Sequence, residues 1–437
     1  EGACKSRSFG YPFGGIIAPR LERQTSCLAF FRDAQTFGTN LVSTMRVLHI
    51  ITRMIVGGAQ ENTRFNCLDL AQLHRDEVIL ITGPSRGAEG SLLEQSKTQG
   101  DNSEGFEIIE IPSLIRAIDP LRDQKAYRDL RSRIRRIKPD VVHTHSAKAG
   151  LLGRAAAWRE RVPCVVHTVH GAPFHPYQNF VSRYFFQRCE RWAAKRCHHL
   201  ISVADAMTDL MVQAKVAPRS KFTTIYSGMD VEPFLHAATL RDATRRELGF
   251  SSEHVVFGKI ARLFHLKGHE YLLSAAHEAI QTNPNIRFLL VGDGILRSEL
   301  ERSIASMGLQ QHFVFTGLVS PDRIPAMVGA MDALVHTSLR EGLARAIPQA
   351  LIAGRPVISY DVDGAREVVI HGETGFLLEP KSVTELASSI GTLARDSEMR
   401  ESFGQTGRAR FTERFRHQNM TQAIRDLYGR VLSRELS

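Results

Sequence analysis

Residues 338–369 read SLREGLARAIPQALIAGRPVISYDVDGAREVV, and no other stretch of the chain carries so strong a fold signal. It parses as loop, helix, turn, strand, loop. Glu341-Gly342 closes a loop, and apolar residues including Leu351 and Ile352 mark a helix predicted from about Ala344. Gly354 stands just past the helix end, where a left-handed cap suits a residue without Cβ. Pro356 leads into VISY, a short buried strand that ends at Asp361-Val362-Asp363-Gly364. A helix that opens directly after a glycine-bearing loop turns unpaired N–H groups and a positive dipole end toward an anion. Glu341 precedes the helix, and Gln349 lies one turn beyond Arg345 on the same face. Such a place holds a phosphate at the helix end and hydroxyl-bearing groups on either side, which outlines a nucleotide-sugar site.

The same alternation repeats upstream. His254–Ile260 reads as a strand, and ARLFHLKG follows it, so Arg262 and Lys267 sit in a loop ahead of a helix over His269–Ile280. Two fixed cations at a strand's carboxyl end can hold a diphosphate without a metal ion. Further strands are predicted at Ile286–Val291, His312–Thr316 and Ala333–His336, with Gly292-Asp293-Gly294 and Gly317-Leu318-Val319 as turns. After Asp361 the chain turns helical, over Lys381–Ala394 and again in the segment ending AIRDLYGRVL.

The first half follows one pattern from Met45, which opens MRVLHIITRM. Val47–Ile51 is a buried strand, and Gly57-Gly58 precedes an amphipathic helix through Leu73. A glycine pair there lets backbone approach a ligand closely. No G-x-G-x-x-G is present, so it is not a dinucleotide fingerprint. Strands follow at Glu77–Thr82, Glu107–Ile111, Asp140–His143 and Cys164–Thr168, and a helix runs into a strand over Glu190–Val203. Strands alternating with helices imply parallel sheets with ligands at the strand carboxyl ends. His143 and His145 share a strand face there, and His167 and His170 stand in HTVHG. Metal ligation, sugar contact and a structural role are the three readings of these histidines; no carboxylate stands at ligand spacing, and no metal is expected.

These pieces together resemble glycosyltransferase family 4, enzymes of the GT-B fold, over nearly the full length from Met45 to about Tyr428. The family pattern is a Glu, seven residues and a second Glu, then Pro-Val-Ile and an Asp-x-x-Gly loop. Here Glu341 takes the first place and Gln349 the second, a departure at one of two acidic positions. The resemblance implies that Arg262 and Lys267 hold the donor diphosphate and that Glu341 fixes sugar hydroxyls. It further implies that His170 contacts the donor sugar, and that Gly57 and Gly58 lie near the donor phosphate and acceptor. Gly342, Leu343, Ala344 and Arg345 would line the phosphate site, Leu318 and Val319 would meet the base, and Gln349 the ribose. Ser227, in the expected interdomain crossing, stands where Asn is more usual.

Composition sets the remaining bounds. At 437 residues, 43% hydrophobic and 23% charged, the chain has the make-up of a soluble two-domain protein. No apolar run approaches the roughly 18 residues a membrane span needs. Six cysteines without a C-x-x-C pair suggest a reducing cytoplasm. The net charge of +10 belongs to the first half, where residues 45–228 hold 27 Lys/Arg against 18 Asp/Glu. Arg122–Lys138 has eight basic residues and two acidic ones around an apolar stripe of Ala126, Leu130, Ile134 and Ile137. It reads as a solvated helix face or as a dock for anionic headgroups or an acidic acceptor, peripheral on the inner face of a membrane. No nucleic-acid motif accompanies the charge. Residues 1–44 lack periodicity; we expect a disordered leader with the native start at Met45, a presequence being the alternative.

The expectation is therefore an α/β protein of GT-B type: Rossmann-like domains over residues 45–228 and 229–410 facing a cleft, and a last helix over 411–437 crossing back to the first. By the resemblance it is a retaining hexosyl- or N-acetylhexosaminyltransferase acting in cell-envelope polysaccharide synthesis. It would need no cofactor and would move sugar from a nucleotide-diphosphate sugar, a UDP-sugar by family frequency, to a lipid-linked, polysaccharide or small-molecule hydroxyl. A binding protein with a degenerate donor site, a metal-dependent enzyme built on the histidines, and a GT-B epimerase or phosphorylase are the alternatives.

Overall fold

In the computed structural model, which describes residues 44–85, 92–93 and 105–435, the apolar runs build two all-parallel sheets. The leader expectation for residues 1–44 lies, apart from Thr44, outside the described residues. The first sheet comprises β1 (Arg46–Arg53), β2 (Glu77–Gly83), β3 (Glu107–Glu110), β4 (Val141–His145), β5 (Cys164–Val169), β6 (His199–Ser202) and β7 (Phe222–Thr224), in the order 3-2-1-4-5-6-7. The second comprises β8 (Val255–Ile260), β9 (Ile286–Val291), β10 (Phe313–Gly317), β11 (Ala333–His336), β12 (Val357–Tyr360) and β13 (Gly375–Leu378), in the order 10-9-8-11-12-13. Helices cover both faces, which is why the strands read as unbroken apolar runs rather than alternating ones. Along β1, Leu48 and Ile50 enter one core layer while Val47 and Ile51 enter the layer on the opposite face. In each sheet the strand order reverses next to the first strand, between β1 and β4 and between β8 and β11. Ligands of open α/β sheets bind at such switch points. This is the two-domain GT-B arrangement expected.

The helix after Glu341 spans Ala346–Ile352, starting two residues later than the sequence suggests. Pro348 is the cause. In a helix begun at Ala344 its missing N–H would be the donor to the Ala344 carbonyl; Ile347 N–H takes that carbonyl instead, at 3.1 Å. The helix ends as expected on Gly354 at φ 73°, with Gly354 N–H on Leu351 O (2.9 Å) and Arg355 N–H on Ala350 O (2.8 Å). It has only seven residues, so its dipole supplies less of the anion-binding field than a helix begun at Ala344 would.

The chain leaves the first domain through Gly228-Met229 and returns past Phe415. The two crossings are bonded side by side, Met229 N–H to Phe415 O at 2.8 Å and His417 N–H to Met229 O at 3.2 Å. A Cβ on Gly228 would stand 2.5 Å from His417 Cα, so only glycine fits there. The returning helix begins at His417 rather than at residue 411, because Phe411 and Phe415 stay buried in the second domain. It lies on the first domain's core with Met420, Ile424, Leu427 and Tyr428 inward, and Arg425 holds buried Asp76 at 2.8 and 3.0 Å.

Two helices of the first domain turn unusual faces to solvent, one strongly basic and one aromatic. Pro120–Ile137 buries Ala126, Leu130 and Ile134, and its Arg131 and Arg135 grip Glu160 at 2.6 and 3.0 Å. The helix predicted from Glu190 in fact runs Phe180–Ala194, capped by Asn179 on Ser182 N–H at 2.8 Å. Its first half is illegible in the sequence because Phe180, Val181 and Tyr184 face solvent, which breaks the expected pattern of apolar residues turned inward.

Candidate active site

The charged groups gather at the β8–β11 switch point. Lys267, in the loop after β8, pairs with Glu341, in the loop after β11. Burial pushes the Glu341 carboxyl up, but the Lys267 ammonium and His336, 3.8 Å away, outweigh it and hold the group below the usual range. Glu341 N–H donates to Asp363 Oδ2 at 2.6 Å. Asp363 sits at φ 50°, a conformation that costs a non-glycine residue about 1–3 kcal/mol and that persists where surroundings enforce it. Arg262 is exposed, its guanidinium 5.0 Å from the Phe264 ring, with no carboxylate partner among the described residues. Its carbonyl accepts from His269 Nε2 at 3.1 Å, which steadies the loop. Beneath them lies a residue that sequence reasoning missed. Lys259, buried in β8, donates to Thr337 Oγ1 at 2.7 Å, and burial, then the charge of Lys267, pushes it down to about 7. A lone lysine inside the strand VVFGKI is the signal that could have found it.

The facing site in the first domain is neutral. His145 Nδ1 lies 3.1 Å from His170 Nε2, and His145 Nε2 lies 3.0 Å from His49 Nδ1, so three imidazoles form one hydrogen-bonded chain. Burial lowers all three, His49 to about 3 and His170 to about 4, with Arg345 contributing at His170. His143 is held separately by Tyr428 O–H at 2.5 Å and Thr168 Oγ1 at 2.7 Å. Ring nitrogens of His49, His143 and His145 lie within 4.8 Å of one another, the spacing of a metal site. Both His143 nitrogens, however, are already engaged by Tyr428 and Thr168, and a metal would have to displace those bonds.

Several predicted residues meet across the cleft. Arg345 reaches Glu61 at 2.8 Å and the Gly58 carbonyl at 3.4 Å, and a Cβ on Gly58 would stand 2.6 Å from its Cδ. Gly342 packs on the His170 carbonyl, where a Cβ would stand 2.5 Å away. Arg340 donates to Ala172 O at 2.5 Å. Glu367, unremarkable in the sequence, takes the N–H groups of Asp205 and Ala206 at 2.9 Å each and Tyr226 O–H at 2.7 Å. These N–H groups open helix Asp205–Gln213, so a second-domain carboxylate caps a first-domain helix. The N–H groups of Leu343 and Ala344 have no backbone acceptor among the described residues. Gln349 is half-buried, and Gly57 precedes the first helix at φ 171°. Leu318 and Val319 stand apart from the cluster: Leu318 is exposed and Val319 packs on the second domain's core.

With this geometry in view, comparison with known proteins is direct. Residues 57–233 match the family described as Glycosyltransferase Family 4, and residues 241–410 that described as Glycosyl transferases group 1. The chain is 31% identical over 323 residues to the Escherichia coli UDP-Gal:alpha-D-GlcNAc-diphosphoundecaprenol alpha-1,3-galactosyltransferase, covering 73% of this chain and 82% of that one. It is 27% identical over 310 residues to the 2-deoxystreptamine glucosyltransferase of Streptomyces kanamyceticus, covering 69% and 80%. Among solved structures, Anabaena HepE in complex with UDP-glucose superposes with a TM-score of 0.71 at 25% identity, over 88% of this chain and 99% of that one. Sucrose-phosphate synthase from Thermosynechococcus elongatus shares the fold, with a TM-score of 0.73 at 18% identity over 89% and 99%.

Proposed function

We propose that this chain, which belongs to the GT-B glycosyltransferases of family 4, moves a hexosyl unit from a UDP-sugar to an acceptor hydroxyl with retention at the anomeric carbon. The observation that carries the reading is the cluster Arg262, Lys267 and Glu341 at the β8–β11 switch point, set opposite His170. Arg262 is the cation left without an acid partner, and Lys267 exchanges Glu341 for phosphate when the donor diphosphate arrives. Both stabilise charge that grows on the leaving diphosphate. Glu341, released from Lys267, takes sugar hydroxyls, and the free N–H groups of Leu343 and Ala344 add donors to phosphate.

His170 acts as a donor. Three neutral imidazoles carry one proton each, and His49 Nε2 has no partner. A buried bare lone pair is cheaper than a buried orphan N–H. The chain therefore runs from His49 Nδ1–H to His145 Nε2 and from His145 Nδ1–H to His170 Nε2. That register leaves the His170 proton on Nδ1, the nitrogen with no partner in the protein, to bond a sugar hydroxyl. In the reaction the anomeric C–O bond to diphosphate breaks, the acceptor oxygen bonds the same carbon on the same face, and the hydroxyl proton passes to the departing diphosphate oxygen.

Calorimetric titration with UDP-glucose and UDP-galactose, with and without EDTA, tests the donor site. Binding and transfer should persist in EDTA, since two cations stand where a metal would; full loss restored by Mg²⁺ refutes this. The NMR anomeric coupling of the product reports retention.

A further inference from the structure

A cavity of about 610 Å³ opens in the first domain beside the carboxyl ends of β1 and β4. Ile118, Leu151, Leu152, Phe185 and Phe186 are among its lining residues, and Thr52, Ser146 and Lys148 add polar groups to it. A small adjoining pocket shares Ser146, Ala147, Pro173 and Glu190 with it and continues to His170. The cavity's lining thus borders the pocket that His170 lines.

Its polarity is one-sided. Both carboxylates in its lining are engaged, Asp123 by Lys148 at 2.5 Å and Glu190 by buried Arg154 at 2.9 Å. Arg116, in the lining, is exposed and has no acid partner among the described residues. A polyamine acceptor finds no free carboxylate here, and a bare sugar finds hydrocarbon walls. An amphiphile with an anionic head matches both features.

The rim says where such a molecule comes from. Helix Phe180–Ala194 turns Phe186, Cys189 and Glu190 to the cavity, while Phe180 and Val181 are 79% and 75% exposed and Tyr184 and Trp192 about half exposed. Across the mouth Ile118 and Leu121 are 70% and 81% exposed. Arg183 and Arg188 alternate with the aromatics, and Arg122 and Lys125, at the start of the basic helix Pro120–Ile137, stand beside Leu121. Large apolar side chains held in water among basic ones form a surface suited to the headgroup boundary of an anionic bilayer.

We infer that this cavity is the acceptor subsite for a long-chain lipid carrying phosphate at its head, and that the aromatic rim rests on the anionic membrane from which the lipid enters. The hydrocarbon lies along Leu151, Leu152, Phe185 and Phe186, Arg116 meets the phosphate, and the head group points toward His170. The inference rests on the transferase reading for the direction of sugar transfer alone.

The test uses the full chain. Dodecyl phosphate below its micellar concentration should bind calorimetrically at about one per chain, at least tenfold tighter than dodecyl maltoside, with inorganic phosphate not competing. Phe185→Glu and, separately, Leu151→Arg should each weaken it at least tenfold. Wild-type protein should sediment with phosphatidylglycerol vesicles and not with phosphatidylcholine, and Phe180→Glu/Tyr184→Glu should stay in the supernatant. Equal binding of both detergents, unchanged binding in both cavity variants, competition by inorganic phosphate, or sedimentation of the rim variant like wild type overturns the proposal. UDP-glucose binding, measured in parallel, should be the same in the rim variant. Its absence from wild type sinks the donor assignment while leaving the lipid result to stand or fall by itself.

Discussion

At the carboxyl ends of β8 and β11 stand Lys259, Arg262, Lys267 and Glu341; at the matching ends of β1, β4 and β5 stand His49, His143, His145 and His170. The first six strands of each sheet share one order and switch point, yet one end is built from charged side chains and the other from neutral imidazoles beside a cavity with apolar lining. Topology therefore decides where a ligand sits and leaves its chemistry to a few side chains. A diphosphate needs fixed cations on one side of the cleft. On the proposed reading, a sugar and a lipid meet oriented but uncharged donors and apolar walls on the other.

Acid is the strongest way to break that contrast. The first domain's imidazoles stay neutral when folded, with His49 held down to about 3 and His170 to about 4, whereas in the unfolded chain each takes a proton near 6.5. Below pH 6.5 the unfolded state binds more protons, so the stability these groups contribute is full above 6.5 and is lost as pH falls toward about 4. With several such groups the loss should reach several kcal/mol, each tenfold drop in a group's proton affinity on folding contributing about 1.4 kcal/mol. Thermal melts should show Tm falling steeply from pH 6.5 to 4, with a smaller fall from pH 8 to 6.5 because the unfolded chain already holds the proton that Lys259, held down to about 7, takes up late; a flat profile over the acid range removes the neutral-imidazole account.

Next come the charges themselves. Arg262→Ala or Lys267→Ala deletes a charge-assisted bond to phosphate worth roughly 1.5–3 kcal/mol, so kcat/KM should drop about tenfold to over a hundredfold, with Tm little changed in Arg262→Ala and lowered in Lys267→Ala, which strips Glu341 of its partner. Wild-type turnover in either variant sinks the donor assignment. A smaller effect is expected where the two halves touch. Arg345 and Glu61 are partly buried, and their pair should couple by about 1 kcal/mol in a double-mutant cycle on donor KM. Strict additivity of Arg345→Ala and Glu61→Gln would show that the contact does not tune the cleft.

Much of this contrast is legible in the residues alone. Strands such as Ile286–Val291 and Ala333–His336 coincide with the folded ones, because a strand buried on both faces cannot hide its apolar run. Arg262, Lys267 and Glu341 stand out as polar residues in loops after such strands. What escapes depends on partners far along the chain. The Arg345–Glu61 pair, the Glu367 cap and the Tyr428 bond to His143 span 141 residues or more, and no local pattern reports them. The aromatic helix escapes for the opposite reason: Phe180, Val181 and Tyr184 turn outward, so a rule that turns apolar residues inward misplaces it.

The finest test falls on Gln349, where the chain departs from the two-acid pattern of its family. The helix Ala346–Ile352 holds it in place, its N–H bonded to Arg345 O at 3.1 Å, and it stays half-buried on the charged side of the cleft. A carboxylate there offers two acceptor oxygens to ribose hydroxyls; an amide offers one acceptor and one NH₂ donor, so a contact survives without charge assistance. The difference should be on the order of 1 kcal/mol, about fivefold in affinity. Gln349→Glu should therefore change donor KM by less than about tenfold, whereas Gln349→Ala, which removes the contact, should raise it further. On the proposed reading Arg262 and Lys267 hold the diphosphate, so one charge fewer at the ribose should trim donor affinity without silencing the enzyme. Should wild type bind no donor while Gln349→Glu restores binding, the second acid is indispensable and the chain is a degenerate-site protein instead.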